Sequence, residues 1–254
     1  MSDICALCQK NSDLQNSHLI PKWAYRRISE LIPKGEVKAP ALISEGKAIA
    51  INKQTTRHLL CVECEQRFSK SEDYVAGLTE LEKGKIKLFN QVTRLDTPRK
   101  VLATLSPEID SGQIAYFAAS IFWRGKVMTG DCELGPYEPK FRQYLLGLAD
   151  FPDGVAISLG LFEESPIVDA RGWVSEPASA KTRMGWLHGF LLNGLAFRCW
   201  VGKSIPKEWR QISLAGPNPI KYVSIINPRE CPDFLAAVEV VGNAKPLGKL
   251  ALLK

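Results

Sequence analysis

Leu59-Leu-Cys61-Val-Glu-Cys64-Glu65-Gln-Arg-Phe68 decides how the N-terminal part of this chain is read. It is a CxxC pair running directly into the apolar spacing of a helix that should continue from Glu65 through Phe68, Tyr74, Leu78 and Leu81. A second pair, Cys5-Ala-Leu-Cys8, lies near the start of the chain. Two cysteines three apart face one ion across a tight turn. Two such turns complete a tetrahedron with metal–sulfur bonds near ~2.3 Å, the signature of a structural zinc. The long stretch between the pairs is tolerable, because loop-closure entropy grows only logarithmically with length. The rival readings are thiol redox chemistry and an iron–sulfur cluster. Redox chemistry asks for a CxxC on a thioredoxin-like βαβ unit, and that pattern is missing here.

Working outward, Ser17-His18-Leu-Ile-Pro21 follows the first pair, and Lys22-Trp-Ala-Tyr-Arg-Arg-Ile28 reads as a short helix with Pro21 near its start. Residues 33 to 56, rich in Gly, Pro, Lys and Thr, suggest a loop and a strand around Ala48-Ile-Ala-Ile51. Arg94-Leu-Asp-Thr-Pro98-Arg-Lys100 is a polar connection, and Pro98 has no amide hydrogen to give a helix. The expected organisation is therefore a zinc-binding module over residues 1–92 and a mixed α+β domain of unassigned role over residues 100–254. In the second part, Ile114 to Phe122 reads as a buried helix, and Phe141, Tyr144, Leu145 and Leu148 recur at helical spacing. Val155 to Phe162 alternates like a strand, and Tyr222 to Ile226 is another strand. Leu191-Leu-Asn193-Gly194-Leu-Ala-Phe197 is a hairpin, since Asn-Gly accepts the positive φ angles of a type I′ turn. Nothing beyond a turn is needed to explain Asn193-Gly194.

The 254 residues are 45% hydrophobic and 24% charged, the balance of a globular protein. No apolar run reaches the ~20 residues that span a bilayer, so no membrane partner is expected. The start, MSDICALCQK, lacks a basic stretch followed by an apolar one. The expected setting is the cytoplasm, with reduced thiols. Cys132, Cys199 and Cys231 then read as small core residues. The formal charge is +6, falling to about +4 once four thiolates share one divalent ion. That mild surplus permits contact with nucleic acid without arguing for it.

The order CALC, SHLIP, LLCVEC, EQRFSKSE resembles the zinc-stabilised HNH endonucleases, over about residues 4 to 75. The resemblance implies a ββα-metal core and hydrolysis of phosphodiester bonds in nucleic acid, with DNA the expected substrate. It implies a place in anti-phage defence or mobile-element biology, and a C-terminal domain that answers to a regulatory protein partner or ligand. Carried over residue by residue, His18 is the general base and Glu65 occupies the helix position that binds the catalytic ion, Mg²⁺ or Mn²⁺. Glu72, on the same helix stripe, could assist. The zinc held by Cys5, Cys8, Cys61 and Cys64 does no chemistry and pins the helix to the strands.

Two positions depart from the family pattern. Ser17 stands where the metal-binding acid belongs, and Thr56 stands where an asparagine orients the base, the nearest asparagine being Asn52. One coherent account moves the carboxylate from the strand to the helix. The alternative is a catalytically impaired zinc module that binds nucleic acid or protein. The bland counterparts are a core histidine at His18, a dipole-favoured carboxylate at Glu65 and a solvated one at Glu72. His58 is expected to stand aside. Arg26, Arg27, Lys34, Lys38, Lys47, Lys53, Arg57, Arg67 and Lys70 are surface cations dense enough to offer a phosphate-contact surface. The later mixture of Trp123, Arg124, Arg142, Lys181, Arg183, Trp186, His188, Arg198, Trp200 and Lys203 reads as core aromatics with surface cations.

Overall fold

A computed structural model describes residues 3–31, 41–44, 47–50, 54–97, 101–165, 169–247 and 251. Lys34, Lys38, Asn52, Lys53 and the Pro98–Lys100 end of the polar connection lie outside these. The fold is α+β, with one large sheet and a cysteine cluster near the N-terminus.

The first cysteine pair sits on a small ladder, β1 (Asp3–Ile4) against β2 (Asn11–Ser12). Between them the chain folds back tightly: the Cys5 amide donates to the Lys10 carbonyl at 2.9 Å, and Gln9 takes a φ of 60°. β3 (Leu14–His18) follows, then α1 (Lys22–Leu31), which starts after Pro21 as the sequence predicts. Next come β4 (Ala41–Ser44), β5 (Lys47–Ala50) and β6 (Thr56–Cys61). β3 and β6 pair antiparallel, with Leu14 opposite Cys61 at one end and His18 opposite Thr56 at the other. The chain then turns straight into α2 (Val62–Leu78).

α2 buries Cys64, Phe68, Ser71, Val75 and Leu78, a stripe at three- and four-residue spacing. It stops before Leu81, contrary to the periodicity. Leu81 belongs to a two-residue strand, β7 (Leu81–Glu82), which pairs with β8 (Lys85–Ile86) and leaves Leu81 49% exposed. The reason is local: Lys83 and Gly84 both take positive φ, and that Lys-Gly turn closes a hairpin where the helix would have continued.

The large sheet has seven strands, the first of them before residue 100: β9 (Val92–Arg94), β10 (Leu102–Leu105), β11 (Val155–Phe162), β12 (Ala178–Lys181), β13 (Trp186–Leu192), β14 (Leu195–Val201) and β15 (Tyr222–Ile226). Their order across the sheet is β12-β13-β14-β11-β15-β10-β9. β11 lies in the middle, antiparallel to β14 and parallel to β15. All eight of its residues are buried, so the alternation expected of a half-exposed strand does not hold. Neighbouring strands on both sides and packing from helices leave it no solvent face. The β13–β14 turn is the expected Asn-Gly hairpin, with φ of 47° and 89°.

α3 (Ser111–Met128) is the hub of the molecule. Its buried residues run continuously from Phe117 to Gly125, on every face. Phe117 meets Phe190 and Phe197 of the sheet on one side and Trp23 of α1 on the other, and Trp123 meets Phe68 of α2 edge-on. One apolar core therefore runs from Cys5, Leu7 and Phe68 through α3 to Ile157 and Ile225. α4 (Glu138–Leu145) packs beside α3 and ends one turn earlier than its apolar spacing implies. Gly147 takes a φ of 71°, and the Leu148 amide reaches back to the Gln143 carbonyl at 2.9 Å. This is a glycine-terminated helix end, and it leaves Leu148 69% exposed. The remaining elements are α5 (Lys207–Gln211), α6 (Pro232–Asn243) and β16 (Lys245–Leu247), the last pairing in parallel with β5. Among the described residues no helix is long and apolar enough to cross a membrane.

A four-cysteine cluster and a composite polar site

Cys5, Cys8, Cys61 and Cys64 converge, with all four sulfurs within 4.8 Å of one another. The Cys8 and Cys61 sulfurs are 3.8 Å apart. A tetrahedron with ~2.3 Å metal–sulfur bonds has edges of about 3.8 Å, so the spacing suits a zinc-sized ion. Backbone bonds hold the two turns in place: the Ala6 amide donates to the Leu59 carbonyl at 3.0 Å, and the Cys61 amide to the Cys5 sulfur at 3.3 Å.

Burial and mutual contact shift these thiols in different directions. Burial, followed by the neighbouring Cys61 and Cys5, pushes the Cys64 thiol far above its ordinary value. Burial also raises Cys8. Cys5 goes the other way, because amides of Cys8, Cys61 and Leu7 outweigh its burial. Four thiolates this close repel one another strongly, and a divalent cation removes that conflict. The four cysteines can thus hold a metal such as zinc. Cys132, Cys199 and Cys231 lie apart from the cluster and are buried in the core, as expected.

The polar site lies at the far end of β3 from the cluster. Ser17 is 1% exposed, and its hydroxyl donates to the Glu65 carboxylate on the first turn of α2. Ser17 and Glu65, both singled out in the sequence, are therefore bonded to each other. His18 follows at the strand end, half-buried, and no hydrogen bond to its ring is found among the described residues. Burial is the main effect lowering its basicity. Lys22 and Arg124 lower it further, and Glu72 partly opposes them. The ring is thus held toward its neutral form. Thr56 is the cross-strand partner of His18. His58 is turned away, its Nδ1 3.1 Å from the Leu14 carbonyl.

Glu72 is neither a free ligand nor a solvated charge. It forms an ion pair with Arg124 at 2.6 Å, the two side chains being 18% and 2% exposed. Arg124 also donates to the His18 carbonyl at 2.6 Å. Sequence reading placed this arginine on the surface because it ended the buried helix at Phe122. The missed signal is that α3 stays apolar around it: a cation inside such a helix requires a partner elsewhere in the fold.

The basic residues divide in two. Arg27 donates to the Ala76 carbonyl at 2.7 Å and Arg57 to the Val127 carbonyl at 2.9 Å, so both tie elements together. Lys22, Arg26, Arg67 and Lys70 are exposed, and Arg67 and Lys70 line an open groove of about 650 Å³ between α2, α3 and α4. Compared with known proteins, the chain matches no protein-family model, no curated protein and no solved structure.

Proposed function

We propose that this chain is a metal-dependent HNH-like endonuclease that hydrolyses phosphodiester bonds in nucleic acid, with DNA the expected substrate. The observation that carries the reading is the β3–β6–α2 unit. Its Cys₄ cluster lies at one end of the hairpin, His18 at the other, and Glu65 on the following helix, bonded to Ser17. In this reading the cluster holds a structural zinc. It tethers the start of α2 to the strands, and Glu65 follows the ligand Cys64 directly in the chain.

Each polar residue then has a task. His18, kept neutral by burial and by the nearby cations, accepts the proton of the attacking water. Ser17 holds the Glu65 carboxylate in place. Glu65 would hold Mg²⁺ or Mn²⁺, and a single carboxylate suffices for such an ion when substrate phosphates complete its shell. Bound there, the ion supplies positive charge to the phosphate as negative charge builds on it. Glu72, neutralised by Arg124, does not serve as a ligand. Exposed cations, Lys22, Arg26, Arg67 and Lys70 among them, would meet backbone phosphates.

A plasmid-nicking assay with Mg²⁺ or Mn²⁺ tests the reading. Wild type should cut, and His18→Ala should lose ~10²–10⁴-fold in rate with zinc and fold intact. Glu65→Ala should lose activity that added metal partly restores. Ser17 and Thr56 favour the second reading, a zinc-bound nucleic-acid-binding module without catalysis. Wild type that binds DNA with a steep salt dependence and never cuts it decides for that reading.

A further inference from the structure

Arg124 is the most deeply buried charge in the described residues that reaches across the molecule. It projects from α3, the helix that lies against the seven-stranded sheet, and is 1% exposed. Two of its contacts stay on its own helix: Nε approaches the Ser120 carbonyl at 3.4 Å, and Nη2 the Ser120 hydroxyl at 3.2 Å. The two shortest leave it. Nη1 donates to the His18 carbonyl on β3 and Nη2 to Glu72 on α2, both at 2.6 Å. The guanidinium also lies 5.3 Å from the centre of the Phe68 ring. A flat fork with several fixed donors can meet a carbonyl and a carboxylate at once, whereas a lysine ammonium is a single point of charge.

Charge burial of this kind is a poor way to gain stability, since apolar side chains of similar volume often do as well. What the arrangement does supply is position. His18 is the last residue of β3; the peptide that follows it is held on one side by the Leu19 amide, which donates to the Thr55 carbonyl at 3.0 Å, and on the other by Arg124, which takes its carbonyl. We infer that Arg124 is a positioning residue for His18: it clamps the end of β3 to α2 and α3, so that the site is assembled jointly by the cysteine-bound hairpin and the sheet-bearing region. The inference rests on the endonuclease reading for its activity assay. The position of His18 can be measured without it.

The experiment uses the full-length, zinc-loaded chain. Arg124→Met alone leaves the half-buried Glu72 without its partner and is expected to fold less well, so the informative protein is Glu72→Gln/Arg124→Met, which removes both charges. If the arginine only balances Glu72, this double variant should regain both fold and rate. If it positions His18, the fold and zinc content return while kcat stays ~10²-fold low, with KM within a few-fold of wild type, the penalty of a base misplaced by about 1 Å. Arg124→Lys, which keeps the charge but not the fork, should fall between the two. In parallel, at a pH where the ring is neutral in both proteins, the His18 imidazole signals, assigned by comparison with His18→Ala, should be displaced and broadened in the double variant. A folded double variant with wild-type kcat, or with His18 signals at their wild-type positions, overturns the inference. Wild type that does not cleave at all defeats the endonuclease reading, and the imidazole signals still decide whether Arg124 positions the ring.

Discussion

Replacing Cys61 by serine perturbs the fold where three structures meet. Cys61 is the last residue of β6, the residue preceding α2, and the ladder partner of Leu14. It is also a ligand candidate whose sulfur lies 3.8 Å from that of Cys8. Structural zinc sites of this type contribute on the order of 10–16 kcal/mol of apparent binding energy, which becomes folding energy when the site is absent from the unfolded chain. Whole domains are stable by only about 5–15 kcal/mol, so losing the ion is enough to unfold the hairpin and the start of α2. The damage should spread further. Cys5, Cys61 and Cys64 belong to the same core as Phe68 and Trp123, and when α2 loosens, Phe68 leaves its edge-on contact with Trp123 of α3. The assay combines metal analysis, thermal melting with and without a strong chelator, and limited proteolysis. Wild type should carry about one zinc per chain. Cys61→Ser and chelator-treated wild type should melt much lower and be cut early in α2. A metal-free protein that melts at the wild-type temperature and resists protease to the same degree would refute the reasoning.

Ser17→Ala should destabilise the chain by about 1–2 kcal/mol in chemical denaturation, because the half-buried Glu65 carboxylate loses a donor. Ser17→Asp sets two carboxylates side by side, so the zinc-loaded variant should melt lower than zinc-loaded wild type without added Mn²⁺ and recover with it. A melting temperature indifferent to Mn²⁺ would mean that this pair binds no ion. Asn193→Ala should cost about 1–3 kcal/mol, since the residue takes a φ of 47° and its amide donates to the Ala24 and Arg171 carbonyls at 3.2 and 3.0 Å. An unchanged denaturation midpoint would count against it. His188 is fully buried, and burial, opposed by Glu133, lowers its pKa from 6.5 to about 4. The native ring stays neutral while the unfolded one takes up a proton, so stability should fall as pH drops from 6.5 to about 4. The loss amounts to about 3 kcal/mol at the acid end of that window. His188→Gln should flatten that slope in pH-dependent denaturation, and an equally steep slope would exonerate the histidine.

The sequence by itself determined what depends on neighbours along the chain. Two CxxC turns declare a shared ligand sphere, because the cysteine spacing alone sets which sulfurs can face one ion. Asn193-Gly194 declares its turn, because few other pairs accept two positive φ angles. The start of α1 after Pro21, the buried run of α3 and the alternating strand β15 follow from the same local rules. Where local rules compete, the sequence was silent. The stripe of α2 continues on paper to Leu81, but Lys83-Gly84 folds into a hairpin instead. β11 alternates on paper, yet it lies at the centre of the sheet and is buried throughout. The tertiary structure decided the polar site. Ser17 and Glu65 are far apart in the chain and meet only because β3 and α2 pack together. Arg124 reads as one more surface cation until α3 is laid between sheet and hairpin. Hydrogen bonds and ion pairs act over a few ångströms of space, and only the packed chain brings such residues within that reach.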